Sequence, residues 1–280
     1  MHCQQWVNGG PDGSFSPTLA LHGWLDNSGS FYDLAKHLTG LNILAPDLAG
    51  HGMSGHRSVD ADYTIWSYID ELLLLSDLMN FDQFGLIGHS MGGGVASLMA
   101  ALFPERIKYL VLLDSIGPMT TSAPESLGQM SKAMQSKIRY RKRLLESPET
   151  WQKNHYYKSR ELAVAARTKK GISLTAASVL SERGVAENEN GFYWQHDKRL
   201  VEKSVLSFTD AHVESFFREI HCPVLMVTSR SSLIKKEILH NRIDQLQRVS
   251  VLQLEGQHHQ HMEEQTVAVA NAMNTFLAEL

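Results

Sequence analysis

Short apolar runs alternate with amphipathic stretches along the first part of the chain. Residues 18–21, 41–45, 84–87 and 109–113 are dominated by Leu, Ile, Val and Ala. Each is punctuated: Pro17 and His22-Gly23 bound the first, Pro46-Asp47 ends the second, Gly88 follows the third and Asp114 ends the fourth. Runs of that length and punctuation predict strands of a parallel sheet covered on both faces. Helical spacing lies between them. One predicted helix is capped by Asp62 and carries Ile65, Ile69, Leu72, Leu73 and Leu75. Another follows Ser90, carries Val95, Leu98, Met99 and Leu102, and is stopped by Pro104. Repeated strand–helix–strand units imply an α/β fold with right-handed crossovers.

The rhythm breaks after Asp114. Residues 117–207 are richer in polar and charged side chains and read as helical, with no buried strand. The basic stretch from Lys132 to Arg143 suits a solvated helix face. Strands are again expected at 223–227 and 249–252, and helices at 236–246 and 264–277. The expected organisation is therefore a core domain formed by residues 1–116 and 208–280, with 117–207 a helical lid inserted between core strands. Ligands of open α/β sheets bind beyond the carboxyl ends of the strands. The motifs at those ends are where chemistry is expected.

Composition narrows the classes. A chain of 280 residues, 43% hydrophobic, is long enough to bury one substantial core. Its formal net charge of −4 argues against a nucleic-acid surface, which shows itself as a basic excess. Cys3 and Cys222, at opposite ends, cannot make a disulfide framework, so a cytoplasmic location is expected. The N-terminal residues lack a signal-peptide pattern, and the apolar runs are too short to span a bilayer. A small molecule is the expected partner, and monomer and homodimer both stay open. Fourteen histidines against two cysteines is the unusual ratio.

Three strand ends concentrate candidate chemistry. Gly88-His89-Ser90-Met91-Gly92, followed by Gly93 and Gly94, sits where a predicted strand meets a predicted helix. That context reads as a nucleophile elbow, with Ser90 on a tight turn and small neighbours because larger ones would collide. His22-Gly23-Trp24, again after a strand, supplies an upstream loop. An acyl-transfer site needs two backbone N–H groups aimed at the developing oxyanion, and Met91 and Trp24 suit those positions. The third end is Gly256-Gln257-His258-His259-Gln260-His261. His258 is the preferred general base, with His261 as the rival. A metal pair at His258 and His261 is disfavoured, since no Cys or carboxylate cluster accompanies it at ligand spacing. No metal and no cofactor are expected. His22 and His89 are read as shaping the backbone of their motifs.

With these motifs in place the sequence resembles the α/β-hydrolases, and among them it is similar to the serine hydrolase-like proteins. The resemblance is carried by His22-Gly-Trp-Leu-Asp-Asn27, Pro46-Asp-Leu-Ala-Gly-His-Gly52 and Gly88-His-Ser-Met-Gly92. Leu112-Leu-Asp-Ser-Ile-Gly-Pro118, Ser181-Glu-Arg-Gly184 and Trp194-Gln-His-Asp-Lys-Arg-Leu200 extend it over nearly the whole chain. It implies a mostly parallel central sheet flanked by helices, with an inserted helical cap. Two departures stand out. Most such hydrolases carry the triad acid after the strand corresponding to 223–227, where this chain has Ser231. Relatives such as haloalkane dehalogenases take the acid from the preceding strand end, which here is Asp114. The alternative reading of Asp114 is a cap on the next turn, leaving a Ser–His dyad. Asp26 and Asp47, on mouth loops, are expected to hold loop backbone. The other departure is at the N-terminus, where only residues 2–7 and a turn at 8–13 precede the His-Gly strand. A typical member has an antiparallel strand pair there, so the expectation is either that one edge strand is missing or that the chain starts late.

The function implied is a serine hydrolase acting on small to medium esters through Ser90, His258 and Asp114. A thioesterase, a C–C hydrolase or a cofactor-free haloperoxidase would use the same residues. Trp151, Tyr156, Tyr157, Phe192, Tyr193 and Trp194 either line an acyl pocket or pack the lid. The rival of another class is a non-catalytic binder on a hydrolase fold, for which Ser231 is the best support.

Overall fold

In the computed structural model, which describes all residues except 11–12, 148–154, 170 and 233, nine strands are formed. They are β1 (Cys3–Asn8), β2 (Ser16–Leu21), β3 (Leu41–Pro46), β4 (Phe84–His89), β5 (Ile107–Leu113), β6 (Val185–Asn188), β7 (Gly191–Trp194), β8 (Val224–Ser229) and β9 (Val249–Leu254). Seven make one sheet in the order β1-β3-β2-β4-β5-β8-β9, and β6 and β7 pair separately. Every neighbour in the large sheet is parallel except β1, which runs antiparallel to β3. The helices are α1 (Tyr32–Ala35), α2 (Ile69–Leu78), α3 (Met91–Leu102), α4 (Ala123–Glu146), α5 (Arg160–Thr168), α6 (Leu174–Gly184), α7 (Asp210–Arg218), α8 (Lys236–Ile243) and α9 (Thr266–Ala278).

Successive strand residues point to opposite faces, so each continuous apolar run feeds two cores at once. Leu19, Leu21, Leu110, Leu112, Val224 and Met226 join residues of α2, α3 and α7 on one face. Ala20, Ile43, Val111, Leu113, Leu225 and Val227 pack with α1 and α9 on the other. Burying each such Leu, Val or Ile side chain stabilises the fold by about 1.5–3 kcal/mol. The apolar runs are continuous because neither face meets water.

Three local expectations change. Asp62 does not cap a helix: residues Ile65–Tyr68 form a 3-10 turn behind Thr64, and the α-helix begins at Ile69. The Asp62 carboxylate instead pairs with Lys137 of α4. The insertion between β5 and β8 is not free of strands, because β6 and β7 form a hairpin across the turn 188–191. Only Val185 of its residues is buried, the others being half-buried or exposed, so it lacks the signature of a core strand. At the far edge, β9 is not a covered strand, and its side chains are exposed or half-exposed. At the other edge stands β1, the one described strand before β2, with alternating exposed and half-buried residues. Elsewhere α4 is largely exposed, with Ala133 buried, in keeping with a solvated basic face.

Two contacts position the mouth of the sheet against the insertion. Asn27, on the turn after β2, donates from Nδ2 to the Leu180 carbonyl of α6 at 2.8 Å. Arg183, at the end of α6, reaches the buried Asp47 carboxylate at 2.8 Å. No helix among the described residues is long and apolar enough to cross a membrane.

Candidate active site

The site begins with a backbone constraint. β4 ends at His89 and α3 begins at Met91, leaving Ser90 alone at the corner with φ 51° and ψ −116°. That is a costly conformation for a side chain other than glycine, and it persists only where the surroundings hold it. They do so here. A Cβ on Gly88 would lie 2.5 Å from the Gly93 Cα, and one on Gly92 would fall inside the Leu21 backbone. The Ser90 N–H donates to the Leu113 carbonyl at 3.2 Å, and Ser115 Oγ donates to the Ser90 carbonyl at 2.8 Å. The corner is thus braced from β5, and the Ser90 hydroxyl is held beyond the strand ends.

Asp114 follows β5 directly, also with a positive φ, of 41°. Its N–H donates to the Val227 carbonyl at 2.8 Å, and its Oδ1 accepts from the Ser229 N–H at 2.9 Å. Its Oδ2 lies 2.7 Å from His258 Nδ1, and His258 Nε2 lies 2.9 Å from Ser90 Oγ. Burial alone would push the Asp114 carboxyl up. The hydrogen bonds from His258 and from the Ser229 N–H outweigh it and hold the group below the usual carboxylate range. An ionised carboxylate only accepts, so the neutral imidazole carries its proton on Nδ1. Nε2 is left as an acceptor facing the Ser90 hydroxyl. The arrangement can take a proton from Ser90 and stabilise the imidazolium that results.

The structure separates the remaining candidates. His261 is fully buried, its ring nitrogens have no hydrogen-bond partner, and burial holds it far below the ordinary imidazole range. It packs on His89 and Phe31 rather than on Ser90. Ser231 is exposed, while its neighbour Ser229 supports Asp114 through the backbone. Met91 is the first residue of α3, so its N–H has no intrahelical acceptor. Trp24 sits on the turn after β2, its indole donating to the Leu200 carbonyl at 2.8 Å. His22 does hold backbone: Nδ1 donates to the Gly23 carbonyl at 2.8 Å, and Nε2 accepts from the Leu48 N–H at 2.9 Å. His89 donates from Nε2 to the His258 carbonyl at 2.9 Å.

Asp47 holds loop backbone, accepting from the Ser28 N–H at 2.8 Å and the Met53 N–H at 2.9 Å. Asp26 does not. Its carboxylate faces His259 at 3.3 Å, His89 at 3.5 Å and Arg167 at 3.6 Å. A long aliphatic cation and two rings reach it from distant parts of the chain, which no local pattern announces. Ser115 and Ser229 were likewise silent in the sequence, since each acts through one backbone-level contact. Of the lid aromatics, Trp194 donates to the Ala163 carbonyl at 3.0 Å and stacks under Arg167. Tyr156 packs edge-on against Tyr193, and Tyr157 bonds to Phe192 through its backbone, so these residues bind the insertion to itself. Trp151 lies outside the described residues.

Comparison with known proteins gives a consistent result. A family model described as the alpha/beta hydrolase fold matches residues 18–265. A serine hydrolase-like protein of Danio rerio is 30% identical over 269 residues, covering 93% of this chain and 81% of that protein. One from Dictyostelium discoideum is 31% identical, covering 91% of this chain and 73% of that protein. The crystal structure of a hypothetical protein from Pseudomonas aeruginosa PAO1 superposes with a TM-score of 0.87 at 34% identity, covering 99% of this chain and 95% of that one.

Proposed function

On the premise that this chain belongs to the α/β-hydrolase fold family, we propose that it is a serine hydrolase acting on small to medium carboxylic esters. The observation that carries the reading is the continuous chain of contacts from Ser90 Oγ through His258 to Asp114, at 2.9 Å and 2.7 Å. His258 Nε2 takes the hydroxyl proton as Ser90 Oγ attacks the acyl carbon. Asp114 stabilises the charge that appears on the ring. The N–H groups of Trp24 and Met91 receive the oxyanion, a contribution for which one donor typically accounts for about a hundred- to a thousandfold in rate. The tetrahedral adduct collapses as His258 returns the proton to the leaving alcohol, leaving an acyl ester on Ser90. Water, deprotonated by the same ring, then attacks that ester and frees the enzyme.

Residues 117–207 act in this reading as the lid above the strand ends, with 1–116 and 208–280 as the core domain. The contacts of Asn27 with Leu180 and of Asp47 with Arg183 support it, because they seat the insertion on the mouth loops. Free thiols at Cys3 and Cys222 support a cytoplasmic location.

A fluorophosphonate probe tests the nucleophile. Wild type is expected to label stoichiometrically and Ser90→Ala not at all. Equal labelling of the two, or none of either, overturns the assignment. A panel of p-nitrophenyl esters of increasing acyl length then reads the size of the pocket.

A further inference from the structure

Behind His258 lies a second group of donors that the proposed triad does not use. Asp26 Oδ2, His89 Nδ1 and His259 Nε2 converge, with all three atoms within 4.8 Å of one another. They come from three distant segments: the turn after β2, the last residue of β4 and the segment before α9. His89 is fully buried, and its Nδ1 has no hydrogen-bond partner. Its other nitrogen must carry a proton, because it donates to the His258 carbonyl. In the neutral ring Nδ1 then presents a lone pair, and it presents it to a carboxylate 3.5 Å away.

Two lone-pair donors facing each other in a buried site repel unless a cation or a proton stands between them. Asp26 Oδ2 also faces His259 Nε2, at 3.3 Å. Geometry says which cation fits. For metal–ligand distances of about 2.0–2.1 Å, donors at the corners of a tetrahedron stand about 3.3–3.4 Å apart. The Asp26–His259 and Asp26–His89 separations are 3.3 Å and 3.5 Å, while the two ring nitrogens lie within 4.8 Å of each other, a gap that the partly exposed His259 ring closes on binding. Gly23 keeps the space open, since a Cβ there would lie 2.7 Å from Asp26 Oδ2 and 2.9 Å from His89 Nδ1. His89 also meets the usual outer-sphere condition for a ligating histidine, which donates its second ring N–H to a carbonyl or carboxylate.

We propose that Asp26, His89 and His259 form a binding site for a divalent transition-metal ion of the zinc class, separate from the Ser90–His258–Asp114 chain. Imidazole and carboxylate donors select such ions over magnesium or calcium, which prefer all-oxygen shells. His259 gives up its Nε2 proton on binding and offers the way in, with its side chain 15% exposed. Arg167 carries a like charge, but it lies 3.6 Å from Asp26 Oδ1 and leaves Oδ2 to the metal. An ion held there ties the loop of Trp24 to the loop of His258.

Cobalt titration of the full chain, previously treated with chelator, tests the site without reference to activity. Wild type is expected to take up one Co2+ with the intense visible bands of tetrahedral coordination, and Zn2+ to displace it and raise the thermal midpoint. His259→Gln, with folding checked by circular dichroism, is expected to bind at least about tenfold more weakly and to lose the Zn2+ shift. His261→Gln, whose ring packs on His89 but whose nitrogens hydrogen-bond to no donor of the site, is expected to bind as wild type does once its folding is checked in the same way. Only weak octahedral bands in wild type, undiminished binding by His259→Gln, or loss confined to His261→Gln each overturns the proposal.

Discussion

Asp114 combines two tasks on one carboxylate. Oδ1 accepts from the Ser229 N–H and holds the start of the loop after β8, while Oδ2 faces His258. Replacing it with Asn separates the two. The Asn carbonyl still accepts from Ser229, so the loop and the fold are expected to survive. Its amide, however, can only donate toward His258 Nδ1, which forces the ring proton onto Nε2 and removes the acceptor for Ser90. Turnover of a short p-nitrophenyl ester by Asp114→Asn is expected to fall by about ten-thousandfold with an unchanged thermal midpoint. Near-normal turnover would remove Asp114 from the machinery and leave the Ser–His dyad. Much of this site was readable residue by residue. Ser90 sits in a contiguous pattern, because the corner's steric demands fall on its immediate neighbours Gly88 and Gly92. His258 could only be narrowed to a choice of two, since it stands 168 residues from Ser90 and 144 from Asp114. Deciding between His258 and His261 required knowing which ring the loop turns inward, and against what.

At the scale of elements, β5 is the strand on which both cores and the site depend. Its alternation sends Leu110 and Leu112 to one face and Val111 and Leu113 to the other, and its end delivers Asp114. Leu112 is fully buried between α3 and the sheet. Leu112→Ala is expected to lower the unfolding free energy by about 2–5 kcal/mol, read from urea denaturation at constant m-value. A loss below 0.5 kcal/mol, the scale of a surface substitution, would mean that this strand is not the central support described here. The strands were legible because a covered parallel sheet needs apolar residues on both faces. The β6–β7 hairpin was not, because all its residues but Val185 are half-buried or exposed and its turn is a run of Asn and Glu that also suits a loop. Asp62 misled for a related reason. A capping residue and a surface partner for Lys137 have the same local appearance, and the choice between them lies in α4.

Over the whole molecule, the insertion is anchored to the sheet's mouth by a buried charge. Asp47 is fully buried and accepts from two loop N–H groups as well as from Arg183, whose side chain is 17% exposed. Burial would raise the Asp47 carboxyl; the Arg183 hydrogen bond, with those from Met53 and Ser28, outweighs it and lowers the group. A carboxyl with a depressed folded value adds stability above its unfolded value, near 3.9, and loses it as the pH falls through the folded value. Arg183→Ala is expected to cost about 1.5–3 kcal/mol at neutral pH, since Asp47 keeps its two backbone donors. The variant should also show a shallower loss of stability than wild type between pH 4 and more acid conditions. Parallel pH profiles for the two proteins would show that the pair contributes nothing.

The sequence by itself determined the layered α/β architecture and the elbow at Ser90, because both follow from interactions among residues close along the chain or from a periodicity set by burial. It also marked the strand ends as the place for chemistry. Tertiary structure alone decided which histidine faces Ser90, that the carboxylate behind it stands at the end of β5, and that Ser231 is left in solvent. It alone turned Asp26 away from its own loop toward His89 and His259. The physical reason is the same in each case. A side chain's hydrogen-bonding role depends on the direction in which a distant loop presents its partner, and that direction is fixed only when the sheet brings the loop ends together.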